Sequence, residues 1–302
     1  MRLLPPTTIL AYHRIAAPEN DPYFLCVTPE HFAYHLEVLA QRASFTTLDN
    51  IEKRAPHRRR VIITFDDGYA DNLHAALPLA ERFGVPFTTF ITSGGVGGTF
   101  WWSRLATLMS GRDESEVEFS LDVGPAPLKV RLRGRDCWRR AERAVHERLR
   151  LLTPAQIDIA LDSLEMTLGG PRATNESRAL TPAELVELSE HPLITIGAHT
   201  VDHRRLAGSS PDSQLESISK SKSELEAFTG RPVKHFAYPY GGIDDFDQAS
   251  VRAVESAGFT TACTAIDGHA VGFCNRFRLP RRIVKDWGPD QFAGQLRRWG
   301  FG

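Results

Sequence analysis

Two neighbouring carboxylates, Asp66 and Asp67, lie in the run TFDDGY, directly after the apolar run VII. Like charges repel and burial disfavours each ionised form, so such a pair requires a nearby cation, a shared proton or full solvation. Two histidines, His199 and His203, lie in the run GAHTVDH, at the end of the apolar run LITIG. Two histidines and a carboxylate can bind one metal ion and leave open positions for water and substrate. The two runs together therefore predict a metal centre.

The four-residue spacing alone does not identify a metal site, because His31 and His35 have the same spacing. Those two histidines lie in a predicted amphipathic helix, and we interpret them as paired surface residues. By contrast, TFDDGY and GAHTVDH each follow a run that is typical of a buried strand. Sites in α/β folds gather beyond the carboxyl ends of strands, and this position favours His199 and His203 as ligands.

The elements that would position these residues are short strands alternating with helices. Apolar runs bounded by Gly, Pro or Asp predict buried parallel strands at 8–13, 61–66, 86–92, 193–197, 235–238 and 260–264. Helical patterns fall between them at 28–43, 70–84, 181–190, 211–229, 247–257 and 289–299. This alternation predicts an α/β fold with a mostly parallel sheet, either open or closed into a barrel.

Residues from about 99 to 170 interrupt the alternation. They contain an aromatic cluster, a pattern typical of a hairpin and two charged helices at 136–150 and 154–168. A single crossover does not need so many residues, so we interpret the segment as an inserted α/β lobe. It leaves the strand PFTTFIT at its carboxyl end, where the metal is expected, and we expect it to influence substrate choice. Trp101 and Trp102 are candidates for stacking on a sugar ring, with a packing role as the alternative.

Composition excludes several classes of partner. The chain has 302 residues, with 36 Lys and Arg against 37 Asp and Glu, so its formal net charge of −1 does not favour binding to nucleic acid. We find no membrane span and no signal peptide at the N-terminus. The scattered cysteines suit reduced thiols, and we expect a cytoplasmic protein. They are Cys26, Cys137, Cys263 and Cys274.

TFDDGY and HTVDH resemble the first two motifs of the polysaccharide deacetylases, the carbohydrate esterase group 4 fold. The resemblance implies a distorted (β/α) barrel that hydrolyses N- or O-acetyl groups on sugars. It also implies that Asp66 is the general base that activates water. Asp67, His199 and His203 would then hold a divalent metal ion, with Zn²⁺ as the expected ion. One carboxylate would be neutralised by the metal and the other would lie beside the water that the metal acidifies.

A third run, FAYPYGG, matches the family only in part. The family has an Arg-x-Pro-Tyr-Gly pattern, in which the Arg orients the base and the Tyr main-chain amide binds the oxyanion. Tyr240 is present, but Ala237 stands at the position of the Arg. We expect Arg281, in the run FRLPRRIV, to supply the guanidinium from another strand. The alternative is that Arg281 is a surface residue at a strand edge.

The general acid is expected at the start of the chain. His13, in ILAYHRI, ends the first predicted strand and resembles the acid of family members in which the barrel is circularly permuted. A core histidine is the competing interpretation of His13, and His269 is a late histidine in a Gly-flanked loop. The resemblance covers about 1–98 and 190–285, so residues 1–302 are expected to form one barrel domain with the insertion at about 99–170.

These observations predict a metal-dependent carbohydrate N-deacetylase that acts on an N-acetylated nucleotide sugar, glycolipid precursor or glycan. Two alternatives from other classes stay open. The first is a carbohydrate-binding relative with weak catalysis, which the missing motif Arg would explain. The second is a hydrolase of a different non-peptide amide on the same fold. The sequence does not identify the sugar or the oligomeric state.

Overall fold

Strands and helices alternate as the sequence predicts. The computed structural model describes residues 7–18, 21–53, 59–110, 117–121, 127–132, 135–171, 177–270 and 275–301. The strands are β1 (Thr7–Tyr12), β2 (Arg14–Ile15), β3 (Cys26–Val27), β4 (Ser44–Phe45), β5 (Arg60–Phe65), β6 (Phe87–Ile91), β7 (Val117–Leu121), β8 (Leu128–Leu132), β9 (Ile194–Ala198), β10 (His235–Ala237), β11 (Thr261–Cys263) and β12 (Arg282–Ile283). Each of the six predicted strands is confirmed, with its ends within one residue of the prediction.

The helices also lie close to their predicted bounds. They are α1 (Pro29–Arg42), α2 (Leu77–Phe83), α3 (Trp101–Met109), α4 (Arg135–Leu149), α5 (Pro154–Leu168), α6 (Pro182–Glu190), α7 (Pro211–Thr229), α8 (Gln248–Ser256) and α9 (Pro289–Arg298). A π-helical turn, Asn72–Ala76, precedes α2 directly. None of the described helices has both the length and the apolar composition that crossing a lipid bilayer requires.

The chain divides into two compact units. The barrel unit contains the described residues within 1–18, 24–96 and 180–302, and the second unit contains those within 19–23 and 97–179. In the second unit, the antiparallel hairpin β7–β8 and helices α3 to α5 surround their own apolar core. The Ala179 N–H donates to the Gly98 carbonyl at 3.1 Å, so the two ends of the inserted segment meet.

In the barrel unit, eight described strands form one parallel sheet in the order β11-β10-β9-β6-β5-β1-β12, with β4 beside β5. The sheet is curled. Leu279 pairs with Cys263 of β11, and Arg282 pairs with Leu10 of β1, so residues 276–283 join the two edges of the curl. Arg281 lies between these two pairings. The strand β12 was not predicted from the sequence.

Alternate residues of the strands pack on opposite faces of the sheet, as a period of two requires. One face, which we call the inner face, carries Ile9 of β1, Ile62 of β5, Phe90 of β6 and Ala237 of β10 in one small buried cluster. The other face packs against the helices in the main core. Side chains on the inner face at the carboxyl ends of the strands therefore converge on one site.

His35 corrects one interpretation made from the sequence, because it is completely buried instead of lying on the surface. Its ring stacks on Phe292 of α9, with centroids 3.8 Å apart, and its Nε2–H donates to the Trp287 carbonyl at 2.8 Å. The pattern of α1 alone could not reveal that α9, from the end of the chain, covers this face. His31 remains half-buried and pairs with Asp286. Cys26 and Cys263 are buried free thiols, and Cys274 lies outside the described residues.

Close packing beneath the site gives a test of the fold. A Cβ at Gly197 of β9 would lie 2.4 Å from Cδ1 of Phe90, its partner on β6. We expect Gly197→Ala to lower the free energy of unfolding by about 1–3 kcal/mol, as overpacked cores do. Gly294→Ala is the control, because the added Cβ meets only the end of Arg297 at 3.9 Å and alanine favours the helix interior. Urea unfolding of both variants should show a loss for the first alone.

Candidate active site

Asp66 follows β5 and continues the inner face of that strand. Ile62, Thr64 and Asp66 alternate along the chain, and all three lie on this face. The Asp66 N–H still donates to the Tyr12 carbonyl of β1 at 3.0 Å, so the main chain is fixed where the carboxylate leaves the strand. Asp66 is only 4% exposed. A buried carboxylate at this position needs a partner.

Arg281 is that partner. Its Nη1 and Nη2 donate to Oδ1 and Oδ2 of Asp66 at 2.6 and 2.7 Å, the bidentate geometry that suits a guanidinium and a carboxylate. Nε donates to the Thr264 carbonyl at 2.9 Å and Nη1 to Thr64 Oγ1 at 3.2 Å. The guanidinium carbon lies 5.4 Å from the Phe90 ring centroid. Arg281 is 1% exposed, so the surface alternative for it is wrong.

The Asp66–Arg281 pair decides the charge of Asp66. Burial by itself raises the pKa of Asp66, but the adjacent Arg281 guanidinium outweighs burial and holds that pKa well below its usual range. Asp66 is therefore ionised at neutral pH. Ala237, at the position of the family's Arg, is buried on the same inner face. The guanidinium thus reaches the carboxylate from the segment that joins the edges of the sheet instead of from β10.

Asp67 is held by an unusual turn. Its φ is +76°, and the Gly68 N–H donates to the Asp66 carbonyl at 3.0 Å, which defines a three-residue γ-turn centred on Asp67. The Asp67 carbonyl accepts a hydrogen bond from the Thr92 N–H at 3.0 Å. A Cβ at Gly68, where φ is +93°, would lie 2.8 Å from Ile91 Cδ1. The turn therefore directs the two neighbouring carboxylates to different partners.

Asp67, His199 and His203 form one buried cluster. Oδ1 of Asp67 lies 3.7 Å from His199 Nε2 and 3.4 Å from His203 Nε2. The ligand atoms of all three residues lie within 4.8 Å of one another. Ligands bound tetrahedrally at about 2.1 Å lie about 3.4 Å apart, so this spacing suits one small cation.

His199 already has the orientation that a ligand needs. Its Nδ1–H donates to the Ala237 carbonyl at 2.8 Å, which leaves the Nε2 lone pair directed toward Asp67. Burial lowers the pKa of His199 to about 4, so the imidazole is neutral at physiological pH. A neutral imidazole is the form that binds metal ions.

The state of Asp67 also fits a cation. Its Oδ1 is buried and has no hydrogen-bond partner among the described residues. Burial, together with the neighbouring Asp66 carboxylate, raises the pKa of Asp67 well above its usual range. The buried Asp67 carboxylate lies beside two imidazole nitrogens, and a bound cation would supply the positive charge that stabilises its ionised form. These three residues could therefore hold a divalent metal ion.

Strained main chain surrounds the cluster. His203 has a φ of +54°, Thr200 of +64° and Tyr240 of +59°, and such values are uncommon for residues other than glycine. The Gly241 N–H donates to the Pro239 carbonyl, which makes a second γ-turn centred on Tyr240. The Tyr240 ring lies edge-on to His203, with centroids 4.7 Å apart. The run that follows β10 therefore contacts His203 through Tyr240.

His13 lies at the same edge of the sheet. It follows β1, which pairs with β5, and it continues the inner face that carries Ile9. An electrostatic interaction links the His13 imidazole to both Asp66 and His199. His269 is different. Its ring contacts Thr8 at 3.1 Å, near the amino end of β1 and away from these residues.

Trp101 and Trp102 belong to the second unit. Trp102 is 4% exposed and stacks on Phe100, with ring centroids 4.7 Å apart. Trp101 stacks on His146 at 4.9 Å and packs against the core of that unit. Both rings therefore have a packing role, and their sugar-stacking role stays a prediction.

The sequence did not single out Thr64, Asp71 or Asn72. Thr64 could have been found, because it lies two residues before Asp66 and so shares its face. Asp71 and Asn72 are polar residues in a predicted helix, where no pattern indicated that they face inward.

Comparison with known proteins gives a consistent result. A family model described as polysaccharide deacetylase matches residues 53–121 and 145–262. YxkH of Bacillus subtilis (strain 168), provisionally named as a polysaccharide deacetylase, is 20% identical over 268 residues, which make up 87% of this chain and 65% of that protein. The chain thus spans less than two thirds of the length of this relative.

Two solved structures are similar in fold. BC0361, a polysaccharide deacetylase from Bacillus cereus, has a TM-score of 0.63 at 16% identity, over 96% of this chain and 69% of that one. IcaB from Ammonifex degensii has a TM-score of 0.63 at 17% identity, over 99% and 98% of the two chains. Likeness at this level of identity shows the fold, and the predicted distorted (β/α) barrel is confirmed.

The buried ion pair leads to a prediction about stability. Arg281→Gln leaves the Asp66 charge buried and unpaired, and we expect a loss of about 3–5 kcal/mol in the free energy of unfolding. Arg131→Gln is the control, because Arg131 and its partner Glu118 are 65% and 67% exposed, and exposed pairs contribute less than about 1 kcal/mol. Urea unfolding measures both.

The double variant Asp66→Asn/Arg281→Gln separates charge from packing. It removes the unpaired charge, so we expect it to be more stable than Arg281→Gln alone. Simple addition of the two single losses would show that the two side chains do not depend on each other.

Proposed function

Because the chain belongs to the polysaccharide deacetylase family, we propose that it is a metal-dependent hydrolase that removes the acetyl group from an N-acetylated sugar. The substrate would be a nucleotide sugar, a glycolipid precursor or a glycan. The observation that carries the proposal is the close placement of an ionised Asp66 and the cluster of Asp67, His199 and His203. A base beside a three-ligand cluster suits hydrolysis of an amide by water.

Asp67, His199 and His203 would hold the metal ion, and Zn²⁺ is the expected ion because two of the three ligands are imidazoles. When bound, such an ion polarises the acetamide carbonyl and lowers the pKa of water. The hydrogen bond from His199 to the Ala237 carbonyl would keep its ring in place as the ligand set forms.

Asp66 would act as the general base. Arg281 keeps the carboxylate ionised and fixes its plane through two hydrogen bonds, so Asp66 can accept a proton from the attacking water without first reorienting. In this role Arg281 is a positioning residue. The main-chain N–H of Tyr240, in the turn beside His203, is the proposed donor to the oxyanion that develops on the acetyl carbonyl.

His13 would be the general acid. The amine that leaves the tetrahedral intermediate needs a proton, and an imidazole can donate one near neutral pH. The electrostatic link of His13 to both Asp66 and His199 supports its placement beside the reacting group. The proposed reaction thus uses a base from β5 and an acid from the neighbouring β1.

Acetate release tests the proposed function. The purified protein, loaded with Zn²⁺, is incubated with a panel of N-acetylated nucleotide sugars, lipid-linked sugars and oligosaccharides. We expect acetate from at least one class, and a chelator should abolish its release. Metal binding without any acetate would indicate a carbohydrate-binding relative. Turnover of other non-peptide amides alone would indicate the second alternative.

The metal ligands and the base should respond differently to substitution. Asp67→Asn, His199→Ala and His203→Ala are each expected to lower the metal content, because each removes one of three ligands. Asp66→Asn should keep the metal and lower turnover by about 10²–10⁴-fold. His31→Ala is the control. His31 is four residues from His35, as His199 is from His203, but it lies outside the cluster. Metal analysis would contradict these assignments if Asp66→Asn lost metal as completely as Asp67→Asn.

Substitution of His13 tests the acid. His13→Ala should keep its metal and lose most acetamide turnover, with a smaller loss for an activated ester such as 4-nitrophenyl acetate, whose leaving group needs no proton. Steady-state rates on both substrates measure the difference. Equal losses on amide and ester would rule out this role for His13.

A further inference from the structure

Two polar residues that the proposed reaction does not use, Asp71 and Asn72, follow TFDDGY after a single alanine. Asn72 is completely buried, and Asp71 stands at the N-cap position of the π-helical turn. The Asp71 side chain makes no capping hydrogen bond to that turn. Its carboxylate instead faces the first strands of the chain. These two residues therefore stabilise something other than their own helix.

Asn72 and Asp71 bind His13 and the two residues that follow it. Nδ2 of Asn72 donates to the His13 carbonyl at 3.0 Å. Oδ2 of Asp71 accepts from Arg14 Nε at 2.9 Å, and its Oδ1 accepts from the Ile15 N–H at 3.2 Å. Three successive residues, 13 to 15, are thus held by two successive residues, 71 and 72.

Asn72 is itself held in one orientation. Its Oδ1 accepts a hydrogen bond from Thr89 Oγ1 of β6 at 3.0 Å, so the amide nitrogen must face His13. Asp71 Oδ1 also lies 3.3 Å from that nitrogen, as a second acceptor. The π-helical turn begins at Asn72, and such turns are rare and frequently occur at functional sites. A buried amide with fixed partners on both sides is suited to positioning another group.

The position of His13 in the chain explains why these hydrogen bonds would affect its side chain. His13 lies between β1 and β2, where the chain changes its pairing partner from β5 to β3. The ladder of β1 ends with Tyr12, so the direction of the His13 side chain depends on how its peptide groups are held. An acid displaced by even about 1 Å loses much of its effect.

We propose that Asn72, supported by Asp71, positions His13 for proton donation to the leaving amine. The proposal rests on the proposed function, in which His13 is the acid. The seven residues DDGYADN then carry the base, one metal ligand and the two residues that align the acid. The proposed base and the residue that positions the proposed acid would thus be separated by only five residues, 67 to 71.

The test uses the metal-loaded 302-residue protein with an oligomer of N-acetylglucosamine and with 4-nitrophenyl acetate. We expect Asn72→Ala to lower kcat on the amide by about tenfold or more, with KM and metal content unchanged. The loss on the ester should be smaller, as for His13→Ala. Asn50→Ala is the matched control, because the Asn50 amide also bonds a side chain, Thr47, but near the amino end of β5. It should leave both rates unchanged.

A double variant distinguishes positioning from general support of the fold. In a His13→Ala background, Asn72→Ala should cause no further loss on the amide, because the group that it positions is gone. Independent, multiplied losses, or equal losses on amide and ester, would overturn the role of Asn72 while leaving the acid assignment intact. Unchanged amide turnover in His13→Ala alone would overturn the acid assignment and this proposal together.

Should Asn72→Ala fail to fold, Asn72→Leu replaces it. The leucine has a similar size but cannot donate to the His13 carbonyl in any protonation state. The same selective loss on the amide is expected. Full amide activity in folded Asn72→Leu would overturn the proposal.

Discussion

The ion pair between Asp66 and Arg281 is the interaction on which the candidate site depends. Two adjacent carboxylates at the end of a buried strand repel each other, and burial disfavours both charges. Arg281 resolves the conflict for Asp66 alone, because its guanidinium bonds both oxygens of that carboxylate. Asp67 is left beside two imidazoles. The two aspartates are chemically identical, and their surroundings alone give them different roles.

The position of Arg281 follows from how the sheet closes. Residues 276–283 pair first with β11 and then with β1, so a residue between the two pairings faces the interior of the curl. The interior contains Phe90 and, where the family pattern has an arginine, the small side chain of Ala237. A guanidinium from β10 and one from the closing segment would compete for the same carboxylate. The alanine at 237 is therefore consistent with an arginine at 281.

The strands and the residues of the Asp67, His199 and His203 cluster were predictable from local sequence, because period, turn residues and motif spacing are local properties. What could not be predicted depends on contacts between distant segments. His35 looked exposed because α9, which covers it, lies more than two hundred residues away in the chain. The two-residue strand β12 is too short to show a pattern, although it places Arg281. Asn72 has the pattern of an ordinary helix residue, because its partner, the His13 carbonyl directly after β1, lies 59 residues away in the chain.

The backbone explains why so few residues can define the site. Among the described residues, the non-glycine residues with positive φ are Phe24, Asp67, Thr200, His203 and Tyr240. All but the first lie in the runs that end β5, β9 and β10, and each such conformation costs on the order of 1–3 kcal/mol. That cost is sustained because the strands below are paired in one sheet and their side chains are buried. These conformations bring the proposed ligands Asp67 and His203 and the proposed oxyanion donor Tyr240 together at the ends of the strands.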